Sequence, residues 1–475
     1  LQGFGITALY LNPVFTSASN HRYHTDDYYS VDPLLGGDAA LRRLLDEAHA
    51  RDMRVVLDGV FNHAGRGFWP FHHVLENGAQ SPYREWFHLH DDVLAGRRSL
   101  AAFPSDEQLA AIEVMQAAAS RRGQSSPAVL GYQAWWDKPA LPKLDLDEPH
   151  MRAMILDVAE HWLRFGIDGW RLDVAEEVGA DFWHEFRQRV RAVNPEAYLV
   201  AEIWQPKPDW LRGDMFDAFM NYPLLEAIVG FAAGPRLDAS GDLPGDLREG
   251  LRPIEAPAFW QRVAGLSDLV DPGVTAVQLN LLGSHDTPRL RTMCGGDLAA
   301  VRLATLLQMT LPGAPCIYYG DEIGMEGGMD PGCRGAFPTD AADWEREPYG
   351  WTRDAIALRH GSRALRDGEL TLLIAEGGAL AYLRRDGSEM FAVVANAGED
   401  PFSLELRLPV GVASAEIVLP GPDSVGGCAA TLIDDADDQS LVVELPPRAG
   451  MVVHLAGRRP SARGSEMAGE PILAP

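Results

Sequence analysis

Arginine and aspartate stand two residues apart in the stretch GWRLDVAEE, residues 169–177. The first part of this stretch reads as a buried strand. Residues i and i+2 of a strand point to the same side, so Arg171 and Asp173 are predicted to share one face near the strand's carboxyl end. An adjacent arginine favours the ionised form of Asp173, which is the form that a nucleophile needs. A structural ion pair is the alternative, and it is the more common interpretation of an isolated R-x-D motif.

Other carboxylates stand at the ends of further candidate strands. Glu202 closes YLVAEIW, where apolar neighbours would disfavour its ionisation and suit a general acid. Asp286 follows LLGSH, and Asp58 lies in VVLDGVFNH. Each of these alone is more often a hydrogen-bonded structural residue. Burying all of them without a purpose would cost several kcal/mol each, so convergence on one pocket is the better explanation.

This set of carboxylates indicates a reaction class. A carboxylate that stays ionised opposite one that stays protonated can cleave a glycosidic bond with retention, through a covalent glycosyl intermediate. In a (β/α)8 barrel, catalytic side chains lie at the carboxyl ends of the strands. The spacing therefore predicts a retaining glycosidase and does not define the sugar.

Short β-branched runs alternate with segments of helical periodicity along most of the chain. Residues 151–166 carry apolar side chains every three or four positions and end on Gly166, a predicted C-cap. Strands are predicted at 6–12, 54–61, 168–174, 198–204, 214–220, 275–286 and 314–322. This alternation predicts an α/β fold of parallel β/α units, a (β/α)8 TIM barrel from which one strand is missing.

Two segments depart from the alternation. Residues 63–145 are rich in aromatic side chains and too long for an ordinary βα loop, so they predict a small inserted subdomain. From residue 367, strand-like alternation with Gly and Pro turns predicts an all-β domain. The predicted organisation is a catalytic barrel of 1–62 and 146–366, an inserted B subdomain of 63–145, a C-terminal β-sandwich of 367–457 and a flexible tail of 458–475.

Composition limits the partners. The chain has 475 residues and a net charge of −27, which would repel a phosphate backbone, so no nucleic-acid ligand is expected. No apolar run in the sequence approaches the roughly 18 residues of a membrane span, so no membrane partner is expected. The four cysteines lack CxxC spacing, which predicts reduced thiols in a cytoplasmic protein.

The motifs DGVFNH, GWRLDVAEE, AEIW and GSHDT, in this order and spacing, resemble the four motif regions of the alpha-amylase family of glycoside hydrolases, glycoside hydrolase family 13. The similarity covers residues 1 to about 360, and the β-rich remainder fits that family's C-terminal domain. The resemblance implies Asp173 as nucleophile, Glu202 as general acid/base and Asp286 as the carboxylate that binds sugar hydroxyls. It also implies substrate-binding roles for Tyr23, His21, His63, Arg171 and His285.

Three further stretches are similar to the neopullulanase, cyclomaltodextrinase and maltogenic amylase group of that family. LPKLD (141–145) resembles its MPKLN motif, and VAEEV (174–178) resembles its VANEV acceptor-site motif, which implies a substrate contact at Glu177. GMEGGMDPGCR (324–334) resembles the loop whose Asp and Arg, here Asp330 and Arg334, hold the sugar beyond the cleavage point. Glu176 and Asp145 stand where these motifs have Asn, which puts acceptor-site behaviour in question.

The resemblance also implies substrates and cofactors. The expected substrates are maltooligosaccharides, cyclodextrins, pullulan or starch, cleaved mainly at α-1,4 bonds. The family's first barrel strand, its calcium-binding loop and the N-terminal β-domain that mediates dimers in this group would all precede Leu1, so we expect the natural chain to be longer. No organic cofactor is expected, whereas Ca2+ and the oligomeric state stay open.

Two other functions use the same motifs. A catalytically silent glucan-binding subunit is disfavoured because Asp173, Glu202 and Asp286 are all present. A transglycosylase or isomerase is disfavoured by LPKLD, but only the products formed from maltotriose separate transfer from hydrolysis. The preference between α-1,4 and α-1,6 linkages does not follow from the sequence.

Overall fold

The computed structural model describes residues 1–118, 124–241, 243–409, 411–421, 427–435 and 438–457. The tail predicted at 458–475 lies outside the described residues. The chain divides into two compact units. The first unit is Leu1–Asn221 with Leu269–Leu279, and the second unit is Tyr222–Asp268 with Asn280–Pro475.

A parallel sheet forms the centre of the first unit. The strands of this unit are β1 (Ala8–Leu11), β2 (Phe15–Ser17), β3 (Thr25–Val31), β4 (Arg54–Gly59), β5 (Gly169–Leu172), β6 (Tyr198–Ala201) and β7 (Ala218–Phe219). Strands β1, β4, β5, β6 and β7 lie in this order with parallel pairing, and β2 pairs with β3 antiparallel. Asp58 on β4 stands in register with Arg171 on β5. Positions in register on neighbouring strands share a face, so the sheet itself places these two side chains together.

The helices between the strands follow the predicted alternation. They are α1 (Gly37–His49), α2 (Trp69–Asn77), α3 (Asp91–Leu94), α4 (Asp106–Ala118), α5 (Ser126–Leu130), α6 (Pro149–Phe165), α7 (Ala180–Val193), α8 (Tyr222–Ala233), α9 (Gly245–Gly250), α10 (Ala256–Asp268), α11 (Pro272–Thr275), α12 (Leu290–Met293), α13 (Leu298–Thr310), α14 (Arg346–Gly361) and α15 (Arg363–Asp367). Helix α6 begins after Glu148, whose carboxylate accepts the Met151 N–H, and ends at Gly166 with a φ of 114°. The predicted helix and its glycine C-cap are confirmed, because glycine adopts the left-handed conformation without a steric penalty.

Apolar side chains of the first unit form one continuous core. Trp162, Trp170 and Trp183 are fully buried in it. Phe71 and Phe87, from the aromatic segment predicted as an insertion, belong to the same cluster. The inserted segment therefore packs on the side chains that cover the parallel sheet, which holds its loops in place beside the strand ends.

Two short strands further along the chain, β8 (Leu279–Leu281) and β9 (Ala314–Cys316), form a two-stranded sheet. Both are shorter than the runs predicted at 275–286 and 314–322, and β7 is likewise shorter than 214–220. Helix α11 extends to Thr275, and a 3-10 helix occupies Asp321–Ile323. Apolar periodicity alone does not locate these boundaries, because strand and short-helix patterns overlap in short runs.

The C-terminal part of the second unit is an antiparallel β domain. Its strands are β10 (Glu369–Glu376), β11 (Ala379–Asp386), β12 (Glu389–Asn396), β13 (Phe402–Leu408), β14 (Val412–Leu419), β15 (Ala429–Asp435), β16 (Asp438–Leu445) and β17 (Ala449–Gly457). They form a five-stranded sheet of order β10-β11-β12-β17-β14 and a three-stranded sheet of order β13-β16-β15. Buried side chains from both sheets, such as Val394, Leu441 and Val453, share one core. The predicted all-β C-terminal domain is confirmed.

Candidate active site

The carboxyl ends of β4, β5 and β6 bring one arginine and three carboxylates together. Arg171 is the last residue but one of β5, Asp58 is the last but one of β4, and Asp173 and Glu202 directly follow β5 and β6. Backbone hydrogen bonds continue the sheet past these ends, holding Asp173 against β4 and Glu202 against β5. The side chains thus lie on a rigid framework at the end of the sheet where parallel α/β folds place their chemistry.

A single buried guanidinium contacts all three carboxylates. Arg171 Nη1 lies 2.9 Å from both carboxylate oxygens of Asp58 and 2.8 Å from Asp173 Oδ1. Arg171 Nη2 lies 3.3 Å from Glu202 Oε2. The arginine side chain is fully buried. The planar, permanently charged guanidinium can serve several acceptors at once, which a lysine ammonium in its place could not do in the same geometry.

Burial dominates the electrostatics of this cluster. It raises the pKa of Asp173 well above the usual carboxyl range; Arg171 opposes the shift, while the neighbouring carboxylates Glu202 and Asp58 add to it. Burial also raises the pKa of Asp58. Arg171 favours the ionised form of Asp173, as predicted, but burial and the two neighbouring carboxylates act against it. The cluster therefore favours retention of a proton, and this proton is shared by the coupled carboxyl groups and not assigned to one of them.

Two phenols hold Asp58 in position. The hydroxyl groups of Tyr23 and Tyr10 donate hydrogen bonds to Asp58 Oδ2, at 2.8 and 3.0 Å. Burial and the charge of Asp58 raise the pKa of Tyr23 well above its ordinary value, so its phenol stays a donor. The sequence analysis missed Tyr10, although a lone tyrosine in an aliphatic strand is a signal, since a phenol hydroxyl withdrawn from water needs a hydrogen-bond partner.

Glu202 receives a hydrogen bond from a strained residue. Val174 has a φ of 47°, and its backbone N–H donates to Glu202 Oε2 at 2.9 Å. The left-handed conformation is costly for a β-branched residue and persists mainly where the surrounding structure requires it, often at functional sites. The motif around Val174 was recognised in the sequence, but the role of its backbone N–H was not.

Two of the predicted sugar-binding histidines lie beside Tyr23. His63 is buried near the Tyr23 backbone, and burial lowers the pKa of His63 to about 3, which keeps its ring neutral. His63 Nε2 has no hydrogen-bond partner within the described part of the chain. Its ring stacks on Trp135 with centroids 4.9 Å apart. His21 Nδ1 accepts the Tyr23 backbone N–H at 3.2 Å.

The two subgroup motifs of the first unit are joined by an ion pair. Lys143 of LPKLD lies 3.0 Å from the carboxylate of Glu177 in VAEEV. Glu176, which stands where the resembled motif has Asn, pairs instead with Lys207 at 3.2 Å. The carboxylate of Glu177, the predicted substrate residue, is therefore held by a lysine.

The remaining predicted site residues form a group within the second unit. His285 Nε2 lies 3.0 Å from Asp286 Oδ2, and Arg334 Nη2 lies 3.3 Å from Asp286 Oδ1. Arg334 Nε lies 3.3 Å from Asp330 and donates a 3.0 Å hydrogen bond to the His285 carbonyl. The DPGCR loop and the GSHDT motif are thus brought into direct contact through residues 48 and 49 positions apart in sequence.

A calcium site was left open by the sequence. Among the described residues, no group of three or more His, Cys, Asp or Glu side chains is arranged to hold a metal ion. Separately, no helix in the described ranges is long and apolar enough to cross a membrane.

Comparison with known proteins defines the class. Residues 1–358 match the family model described as alpha amylase, catalytic domain. The chain therefore belongs to the alpha-amylase family of glycoside hydrolases, and the resemblance and the fold class inferred from the sequence are confirmed.

Named relatives narrow the comparison. The chain is 39% identical over 454 residues to a cyclomaltodextrinase of Geobacillus thermopakistaniensis, covering 94% of this chain and 67% of the relative. It is 38% identical over 411 residues to neopullulanase 2 of Thermoactinomyces vulgaris, covering 86% and 62%. The crystal structure of a debranching enzyme from Nostoc punctiforme is similar, with a TM-score of 0.82, 38% identity and coverage of 95% and 86%. The chain thus spans about two thirds of the length of these two curated relatives.

Proposed function

We propose that this chain hydrolyses α-glucosidic bonds with retention, with Asp173 as nucleophile and Glu202 as general acid/base. The observation that carries the proposal is the buried guanidinium of Arg171, which contacts both carboxylates. Bridging by one planar group keeps the two carboxylates close, as retaining glycosidases require, whereas inverting enzymes need a wider gap for water.

The proposed reaction has two steps. Glu202 donates a proton to the glycosidic oxygen while Asp173 attacks the anomeric carbon, so that a covalent glycosyl ester forms and the leaving sugar departs as an alcohol. Glu202, now a carboxylate, then takes a proton from water, which attacks the ester and frees Asp173. The Val174 N–H holds one oxygen of the Glu202 side chain in place at 2.9 Å.

The other polar groups are assigned to the sugar. We assign Tyr23, His21 and His63 to the ring that undergoes cleavage, and Asp286 with His285 to its hydroxyls. Asp330, Arg334 and Glu177 are assigned to neighbouring sugars. A neutral sugar offers no charge, so binding relies on ring faces against aromatic side chains and on hydrogen bonds from fixed polar groups.

The proposed substrates are maltooligosaccharides, cyclodextrins, pullulan or starch, cleaved mainly at α-1,4 bonds. The names of the relatives, cyclomaltodextrinase and neopullulanase, support this range. Within this range we propose a preference for short substrates. The expected result is a higher kcat/KM on maltotriose to maltoheptaose or cyclodextrin than on soluble starch, per reducing end released; a clear preference for starch contradicts it.

Proton NMR of the first products tests the reaction. Freshly released reducing ends from maltotriose should carry the α configuration before mutarotation, whereas initial β products contradict the retaining mechanism. Products longer than maltotriose would identify a transglycosylase, and the absence of any release from all of these substrates would identify a silent glucan-binding protein.

We also propose that the protein works in a reducing compartment such as the cytoplasm. The four cysteines are all free thiols in the structure, and Cys294, Cys333 and Cys428 are buried. Unchanged thermal stability on addition of a thiol reductant is the expected result, and a large loss of stability would contradict the assignment.

A further inference from the structure

Three rings form a continuous stack that begins in the candidate active site. His63 and Trp135 lie with ring centroids 4.9 Å apart and planes at 16°. Trp135 and Trp136 lie 4.8 Å apart with planes at 18°. His63 is buried, whereas Trp136 is 40% exposed. The stack therefore leads from the histidine beside Tyr23 to an indole at the surface of the first unit.

The backbone that carries the outer indole is strained. Trp136 and Asp137 are consecutive residues other than glycine with φ values of 52° and 57°. The buried carboxylate of Asp137 compensates by accepting the backbone N–H groups of Ser125 and Ser126, at 2.9 and 2.6 Å, and the side-chain amide of Gln116 at 3.2 Å. Strain of this kind persists only where surrounding contacts over-determine it. The backbone at Trp136 is thus held in one conformation.

Simple core packing does not account for this arrangement. Core packing would bury the indole of Trp136, but the strained turn keeps it partly in water, where a large apolar surface is unfavourable. Lys138, an exposed residue, places its ammonium 5.4 and 5.5 Å from the ring centroids of Trp135 and Trp136. A rigid indole with a hydrogen-bond donor beside it matches a pyranose ring, which has an apolar C–H face and hydroxyl groups around its edge.

We propose that Trp136 and Lys138 form an additional sugar-binding subsite, which takes a glucosyl unit of a longer α-glucan beyond the ring seated at His63. The indole stacks on the sugar face, and the ammonium donates to a hydroxyl group. This inference rests on the proposed function, because it extends the same substrate. The subsite would then determine which substrate lengths bind well. Asp137 would act as a positioning residue, because it holds the backbone that carries Trp136.

Steady-state kinetics on maltotriose and maltohexaose test the subsite. In Trp136→Ala, the ratio of kcat/KM for maltohexaose to kcat/KM for maltotriose should fall fivefold or more, mainly through a higher KM for maltohexaose. Trp136→Phe should restore most of the ratio, because a phenyl ring still stacks. Trp69→Ala is the matched control, since Trp69 is an exposed tryptophan, at 60%, outside the stack; its ratio should equal that of the wild type.

A purely structural role predicts a different pattern. If the stack only supports His63, Trp136→Ala will lower kcat/KM for both oligosaccharides by the same factor, and the proposal is overturned. Wild-type kcat/KM values for both oligosaccharides in Trp136→Ala overturn it as well. Lys138→Met is the second variant in case Trp136→Ala does not fold: the ratio should fall two- to threefold, and wild-type behaviour contradicts the donor role.

Binding separates this inference from the proposed reaction. Isothermal titration of maltohexaose into the wild type, and into Glu202→Gln alone or combined with Trp136→Phe, Lys138→Met or Trp69→Ala, measures binding; the Glu202→Gln background prevents turnover during the titration. If the wild type binds maltohexaose without hydrolysing it, the proposed function fails, but weaker binding by Lys138→Met alone still supports the subsite. If the wild type does not bind, or all variants bind equally, the subsite is refuted.

Discussion

Arg171 is the residue on which the electrostatics of the candidate site depend, because its guanidinium is buried and contacts Asp58, Asp173 and Glu202. Removing one partner from a buried charge cluster lowers the stability of the protein by more than the intact cluster raises it, because a buried charge is left unpaired. A change at Arg171 should therefore affect stability as well as catalysis, whereas isosteric changes of the two assigned catalytic carboxylates should affect catalysis almost alone.

We expect Asp173→Asn and Glu202→Gln each to reduce kcat by roughly four orders of magnitude or more, because each removes a group that forms or breaks a bond. Circular dichroism and thermal unfolding should stay close to the wild type, since both substitutions preserve side-chain volume. Asp147→Asn, the same change on an exposed residue, is the control. Activity within tenfold of the wild type in either variant removes that residue from its assigned role.

Arg171→Lys should retain the positive charge and still lower kcat by roughly a hundredfold, because a lysine lacks the two nitrogen atoms that reach separate carboxylates. Its melting temperature should also fall. Arg187→Lys is a suitable control, since Arg187 pairs with Asp217 at 2.8 Å outside the carboxylate cluster. A wild-type rate and pH profile in Arg171→Lys would instead support a simple structural ion pair.

At the scale of elements, helix α8 carries a buried acid that the proposed reaction does not use. Glu226 is 8% exposed, and a Cβ at Gly250 would come within 1.8 Å of its carboxylate, so the group is tightly enclosed. Burial raises the pKa of Glu226 to about 7; Arg262 opposes the shift and Asp246 adds to it. Between about pH 4.5 and 7, Glu226 is thus protonated in the folded state and ionised in the unfolded state.

This shift predicts a stability that falls as pH rises through that window. Glu226→Gln, which cannot ionise, should match the wild type near pH 5 and exceed it at pH 8 by up to about 3 kcal/mol, the equivalent of the pKa shift. Urea unfolding of both proteins at pH 5, 6, 7 and 8 measures the difference. A difference that does not change with pH would show that Glu226 does not titrate in this range.

The elements themselves were predictable to different degrees. Helix α6 matched its prediction because its apolar periodicity, the capping carboxylate of Glu148 and the glycine at 166 are all local signals. Strands β7, β8 and β9 are shorter than predicted, because a strand ends where its pairing partners end, and pairing is not a local property.

At the scale of the whole molecule, the β domain and helix α13 belong to one compact unit. Arg384 on β11 is fully buried and donates hydrogen bonds to the carbonyl of Thr310, the last residue of α13, and to the carbonyl of Gly368. The hydroxyl groups of Tyr382 and Thr310 are also within hydrogen-bond distance, at 2.5 Å. These contacts couple the folding of the two elements.

Arg384→Met should therefore destabilise the second unit by about 2–4 kcal/mol, because methionine fills a similar volume but leaves the carbonyl groups of Thr310 and Gly368 without this donor. Thermal or urea unfolding measures the loss. Arg407→Met, on an exposed position of β13, should change stability by no more than about 0.5 kcal/mol. Equal stability of the two variants would show that the buried hydrogen bonds do not couple the elements.

The sequence by itself determined the family, the α/β class with its β-rich C-terminal domain, and the identities of the residues at the strand ends. These follow from ordered motifs and from periodicity, which short stretches of chain carry on their own. The tertiary structure alone decided which groups share the site of the first unit. Tyr10 contacts Asp58, which is 48 residues away in sequence, and Trp135 contacts His63 at the other end of the inserted segment. These contacts depend on strand register and loop packing, which distant parts of the chain determine. It also decided the protonation tendency of Asp173, since a pKa depends on the burial and on all the charges around the group.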